Sequence, residues 1–176
     1  MEHDNKTGFS SAALEQIEEL TRHYPEGKQK SALIPVLHIA QAERGGWLSS
    51  GTMTEVAALL KLKPIEVFEV ASFYSMFHLE PVGRCVIEVC QTAPCCLAGA
   101  EEIIAHLEKK LNIKPGETTP DGMFTLKLVE CLAACGHGPV MQVGMEYHEN
   151  LSIEKIDEII EKLKKTNHCS HQNPYN

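Results

Sequence analysis

The sequence predicts an α+β chain: a helical bundle over residues 1–81, then an α/β domain with a small mixed sheet over residues 82–165. Three observations carry this. Apolar residues recur at helical spacing as far as Phe77. The period shortens to that of strands after the linker Glu80-Pro81-Val82-Gly83. Six of the seven cysteines fall between residues 85 and 135, in the second part alone. With 43% hydrophobic and 23% charged residues among 176, the chain has enough apolar material for a core, which excludes general disorder.

Ser11 caps a first helix with Leu14, Ile17, Leu20 and Tyr24 on one face, ended by Pro25 and Gly27. A second helix spans 29–44 with Leu33, Ile34, Leu37 and Ile39. Pro35 inside it predicts a late start or a kink, and Gly45-Gly46 stops it. Thr52-Met53-Thr54-Glu55 reads as a capping box for a third, followed by Val56, Leu59 and Leu60. Pro64 suits the first position of a fourth. Its Val67, Phe68, Val70, Ala71, Phe73, Tyr74 and Phe77 read mostly as core, with an aromatic edge as a possible partner anchor.

In the second part, 84–90 is a short β-rich run and suits a strand. Residues 99–111 are helical, with Ile103, Ile104, Leu107 and Leu111 on one side. Pro115-Gly116 and Asp121-Gly122 mark turns, and 123–130 alternates as a second strand. Residues 139–143 and 145–148, joined near Gly144, read as a hairpin. Ser152 caps a last helix carrying Ile153, Ile156, Ile159, Ile160 and Leu163, with Lys162, Lys164 and Lys165 at its negative end. Residues 166–176 read as a disordered, chemically idle tail, including Cys169 with His168 and His171. The order strand, helix, strand, Cys-rich loop, hairpin, helix resembles a thioredoxin-like domain in which a loop replaces the middle helix.

Charge and targeting narrow the function classes. The net charge is −8, and the two parts each carry −4. This excludes a basic face for nucleic acid and makes a helix-turn-helix DNA module a poor reading of the bundle. The longest run without Asp, Glu, Lys or Arg is 131–145, too short and polar to cross a bilayer. The acidic start Met1-Glu2-His3-Asp4 has neither signal-peptide nor transit-peptide character, so a cytosolic chain is expected, without membrane insertion. An odd number of cysteines then argues against a disulfide scaffold and for a metal or redox site.

Two cysteine groups follow the two strands: Cys90, Cys95 and Cys96 after the first, Cys131 and Cys135 after the second. If the strands are parallel neighbours, both loops leave the same edge of the sheet and four thiolates can converge. Buried inert cysteines account for one or two of them, but poorly for two groups at equivalent strand ends. Structural zinc fits the spacing within each group. A C-x-x-C redox pair is absent. An iron–sulfur cluster fits best: C-x4-C occurs in ferredoxins, and Gly136 and Gly138 let backbone amides approach sulfur.

The run from Val89 through Cys90, Cys95 and Cys96 to Gly99 resembles the first cluster loop of the thioredoxin-like [2Fe-2S] ferredoxins. Val129 to Pro139 resembles the second, and Leu107 to Gly122 the segment between. Ala71–Phe77 and Gly45–Ser49 resemble the helical region of the family's E-type members in NADH:quinone oxidoreductase, complex I. Related subunits occur in NAD-linked hydrogenases and formate dehydrogenases. The resemblance covers roughly residues 12–165 and implies one [2Fe-2S] cluster on Cys90, Cys95, Cys131 and Cys135. This sequence departs from the pattern at Cys96, which follows a ligand, at Ala133 where Gly is frequent, and at Gly138 where Ala is frequent.

The resemblance further implies a partner flavoprotein subunit that holds FMN and binds NADH. The cluster exchanges one electron with that flavin, and the N-terminal helices clamp the flavoprotein. Storage of an electron or protection of the flavin are the roles it suggests, on the cytoplasmic side of the inner membrane in a peripheral arm. No catalytic residues are expected in this chain: it lacks a Gly-rich dinucleotide fingerprint and a nucleophile–base pair. A zinc-stabilised adaptor without electron transfer is the alternative from another class. Cys85 reads as strand packing, His137 as a surface group or one near the ligands, and Trp47 as a packing or interface anchor.

Overall fold

The computed structural model describes residues 8–166 and Cys169. The chain divides between Pro81 and Val82 into two compact units.

The first unit holds four helices: α1 (Ser11–Arg22), α2 (Leu33–Glu43), α3 (Ser50–Leu60) and α4 (Pro64–Phe73). Two caps lie earlier than the sequence suggests. Ser10, not Ser11, caps α1, its hydroxyl accepting from the Ala13 amide at 3.2 Å. Ser49 caps α3 by accepting from Thr52 N at 3.0 Å, so the expected Thr52 cap lies inside the helix. In both cases the capping serine is extended, which aims its oxygen at the first free amides. Pro35 falls in the first turn of α2, where its missing N–H costs little, and a 3-10 turn over Gln29–Ala32 precedes it. The core is built from Ile17, Val36, Leu37, Leu48, Val56, Leu60, Val67 and Phe77.

The fourth helix departs most from expectation. Only Val67 and Ala71 of α4 are buried. Phe68 is 46% exposed and Phe73 79%, and Ile65 and Tyr74 are also exposed. A helix apolar on two sides offers only one of them to its own core. The segment beyond α4 returns to the bundle through buried Gln41. Its amide nitrogen donates to Met76 O at 3.0 Å and its oxygen accepts from His78 N at 2.8 Å.

The second unit is a four-stranded mixed sheet with helices on one face. In chain order it has β1 (Cys85–Cys90), α5 (Ala93–Leu97), α6 (Ala100–Leu111), β2 (Phe124–Val129), β3 (Met141–Val143), β4 (Glu146–His148) and α7 (Ile153–Thr166). The strand order is β2-β1-β3-β4. β1 and β2 are parallel, with Cys90 opposite Val129; β3 and β4 are antiparallel additions. Ile87, Val89, Leu126 and Met141 pack under Ile103 and Leu107 of α6 and Ile156 and Ile160 of α7. Asp157 of α7 ties the helix pair together through His106 at 2.7 Å and Lys110 at 2.9 Å on α6.

Gly83 feeds the chain into β1 against the neighbouring strand. A Cβ there would lie 2.8 Å from the Phe124 carbonyl carbon, so only glycine fits. Its N–H donates to the buried Thr125 hydroxyl at 2.6 Å.

The expectation for the tail is corrected at one residue. Cys169 is not idle: it forms a disulfide with Cys85, their Cα atoms 5.0 Å apart. Cys85 is packing, as read, and is also bonded. The two cysteines lie 84 residues apart, so sequence proximity carries no sign of the pairing. His168, His171 and most of the remaining tail lie outside the described residues.

Candidate metal centre

Because β1 and β2 are parallel neighbours in register, the loops that follow them leave the same end of the sheet. Backbone bonds hold both loops there: Gln91 N donates to Val129 O at 3.0 Å and Cys90 N to Val140 O at 3.1 Å. The first loop is not wholly irregular, as expected, but folds into the short helix α5, with Pro94 in its first turn. That turn places Cys95 inward and gives adjacent Cys96 a different task.

Cys90 is 1% exposed and Cys95 2%, and both pack with Ala100 and Val140. Cys131 and Cys135 are exposed. The Cys90 sulfur is where the two loops interlock: it lies 3.2 Å from the Thr92 hydroxyl and 3.3 Å from the Glu130 carbonyl oxygen of the second loop. Burial opposes ionisation of Cys90. The Thr92 hydroxyl, the Thr92 and Leu132 amides and neighbouring Cys95 outweigh that and pull its thiol below the ordinary value. Burial pushes the Cys95 thiol up to about 11, with Cys90 and Cys135 nearby adding to the effect and the Val140 amide opposing it. Left to protons, Cys90 therefore ionises before Cys95. A metal between them replaces the Cys95 proton and offsets the repulsion.

The second loop turns at Ala133, whose φ of +58° lies in the left-handed region. This turn points the Ala133 N–H at the Cys131 sulfur, 3.3 Å away. A residue without Cβ would adopt that φ at no steric cost, so Ala133 stands where glycine is unstrained. Gly138 brings the second loop against the first: a Cβ there would lie 3.2 Å from Ala98 Cβ and 3.7 Å from the Cys95 sulfur. Cys96 is turned elsewhere, its thiol donating to Gln91 O at 3.1 Å. His137 is exposed, and its carbonyl accepts from Asn150 N at 2.7 Å.

The structure thus sets Cys95 beside Cys90 and close enough to Cys135 to feel its charge, with Cys131 in the same loop as Cys135. Among the described residues, no three His, Cys, Asp or Glu side chains close on one point as a single ion requires. A binuclear iron–sulfur group asks for two thiolates per iron and so spreads its four ligands. The donor chemistry fits such a group: sulfurs only, backbone amides aimed at three of them, and an apolar bed beneath. Sequence reasoning missed the amides of Thr92, Leu132, Ala133 and Val140, since backbone direction leaves no residue signature. Leu97, the last residue of α5, is 91% exposed.

Comparisons with known proteins show the family. The thioredoxin-like [2Fe-2S] ferredoxin family model matches residues 17–164. The chain belongs to that family. Among its relatives, the E 2 subunit of NADH-quinone oxidoreductase from Rhizobium meliloti (strain 1021) is 45% identical over 150 residues, covering 85% of this chain and 88% of that one. The E subunit of NADH-quinone oxidoreductase from Rickettsia conorii is 43% identical over 156 residues, covering 89% and 93%. Among solved structures, the NAD+-reducing [NiFe]-hydrogenase in its H2-reduced state superposes with a TM-score of 0.67 at 25% identity. That match covers 76% of this chain but 22% of the hydrogenase chain.

Proposed function

We propose that this chain is an electron-carrying subunit of an NADH:quinone oxidoreductase, exchanging single electrons with the FMN of a partner flavoprotein subunit. One [2Fe-2S] cluster on Cys90, Cys95, Cys131 and Cys135 supplies the one-electron chemistry when bound. The observation that carries this is the interlock at Cys90, where groups from both loops meet one buried sulfur. Cys90 and Cys95 anchor the inner side of the group in a dry setting, while Cys131 and Cys135 hold its outer side at the surface. A site open on that side suits exchange with a second protein. The names of the relatives support the host complex. The outward Ile65, Phe68 and Phe73 support a life as a subunit, since apolar groups of this size are usually covered by a partner. Among the described residues no helix is long and apolar enough to cross a membrane. The reading places the chain in a peripheral arm on the cytoplasmic side of the inner membrane.

An NAD-linked hydrogenase is the second host, favoured by the structural likeness to the NAD+-reducing enzyme. The co-purifying partner separates the two hosts.

Anaerobic purification, iron and zinc analysis, and EPR before and after dithionite test the cluster. About two irons per chain and a signal only after reduction are expected. Zinc without a reducible signal would replace this reading with the structural adaptor. Cys90→Ser, Cys95→Ser, Cys131→Ser and Cys135→Ser are each expected to lose or alter the signal, and Cys96→Ala to keep it. Loss in Cys96→Ala with retention in Cys95→Ala would move the ligand by one residue. With the cluster loaded, NADH is expected to reduce it only when the flavoprotein is added.

A further inference from the structure

A second sulfur site lies on the other face of the same strand. Cys85 opens β1 on the face covered by α6 and α7, whereas Cys90, an odd number of residues on, points to the opposite face. Cys85 is 1% exposed and is bonded to Cys169, which follows α7 and is only partly buried. The bond joins cysteines 84 positions apart and so closes a covalent ring that encloses every strand, both cysteine loops and α7. The other five cysteines form no disulfide, and Cys96, which the proposed cluster leaves unused, is a partly exposed free thiol.

Those facts are hard to combine in a permanently oxidising setting. An accessible free thiol persists where the surroundings are reducing, and disulfides found there are usually reversible. We propose that Cys85 and Cys169 form a reversible thiol–disulfide couple, separate from the loop cysteines, that locks the end of α7 to β1 under oxidising conditions.

The oxidant is a low-molecular-weight disulfide. The more accessible Cys169 thiolate attacks one of its sulfurs, forming a mixed disulfide and releasing one thiolate. Cys85 then attacks the Cys169 sulfur and expels the second thiolate. The two departing thiolates take up the two cysteine protons, so two protein thiols lose two electrons and one small disulfide gains them. The couple does not depend on the proposed cluster, and the two succeed or fail separately.

The test uses the full-length protein with its iron loaded. It is equilibrated anaerobically in glutathione mixtures from fully reduced to disulfide-rich, quenched in acid, and alkylated with a maleimide under denaturing conditions. The mass is expected to fall by two adducts across the series in a single step. A peptide linking Cys85 to Cys169 appears as it falls, and the visible spectrum holds. Oxidised wild type is expected to melt at a higher temperature than reduced wild type. Cys169→Ser alters a partly exposed residue and spares the Cys85 packing. It is expected to show one adduct fewer than reduced wild type at every ratio, no linked peptide, no melting shift and an unchanged spectrum. Full alkylation throughout, a link that stays closed in fully reduced glutathione, or a link through a loop cysteine would each overturn the proposal.

Discussion

Ala133 carries the cost of a conformation suited to glycine. Its φ of +58° aims its amide at the Cys131 sulfur, and an L-residue held there loses roughly 1–2 kcal/mol. Glycine recovers that loss but gives back about 0.4–1 kcal/mol through its freer unfolded chain. Ala133→Gly is therefore expected to leave stability unchanged or raise it by up to about 1.6 kcal/mol, without loss of iron. Thermal melting of the loaded protein checks it, and a clear drop in midpoint would show that the turn is not under strain. The candidate ligands were legible in the sequence because cysteine is scarce and spaced. The groups that tune them were not, because Thr92, Leu132 and Val140 act largely through backbone amides that any residue carries.

At the scale of elements, periodicity located the helices and strands but not what covers them. The fourth helix shows why. Val67 and Phe68 are equally apolar in sequence, yet one is buried and the other faces outward. Serine caps were legible to within three residues, because several serines and threonines competed at α1 and α3. The entry to β1 rests on Thr125, whose buried hydroxyl accepts from Gly83 N–H and lies 2.8 Å from the Thr118 hydroxyl. Thr125→Val keeps the shape but strands that donor, at an expected cost of about 1–3 kcal/mol in denaturant unfolding. An unchanged midpoint would mean that water reaches the Gly83 amide.

The helical unit also carries a pH dependence. His38 on α2 packs at a tilt against Phe77, 5.0 Å between ring centroids, and burial holds its pKa below the ordinary value. With the folded value depressed, the unfolded chain takes up this proton first. His38 thus lowers stability as pH falls through about 6.5, and the decline ends at its folded pKa. His38→Gln is expected to flatten that part of the profile. A slope unchanged in the variant would assign it to other groups.

For the whole molecule, the cores decide what can stand alone. The apolar cluster of the helical unit is drawn from residues 13–77, and the clusters around the sheet and the cysteine loops from residue 85 onward. Both cysteine loops, the strands that launch them and the helices that support those strands all belong to the second set. The division falls at Pro81, in a linker that the change of period already marks. Everything proposed to hold the cluster is therefore encoded after that point. A fragment of residues 82–176 is expected to fold and to take up about two irons with the EPR signal of the full chain. A fragment of residues 1–81 is expected to give a helical spectrum and no iron. If the cluster fragment also supports NADH-dependent reduction with the flavoprotein at the full-length rate, the helices play no part in docking. A lower rate with an intact signal assigns them to the partner. A fragment that loads no iron would show that the cysteine loops need the helical unit to close.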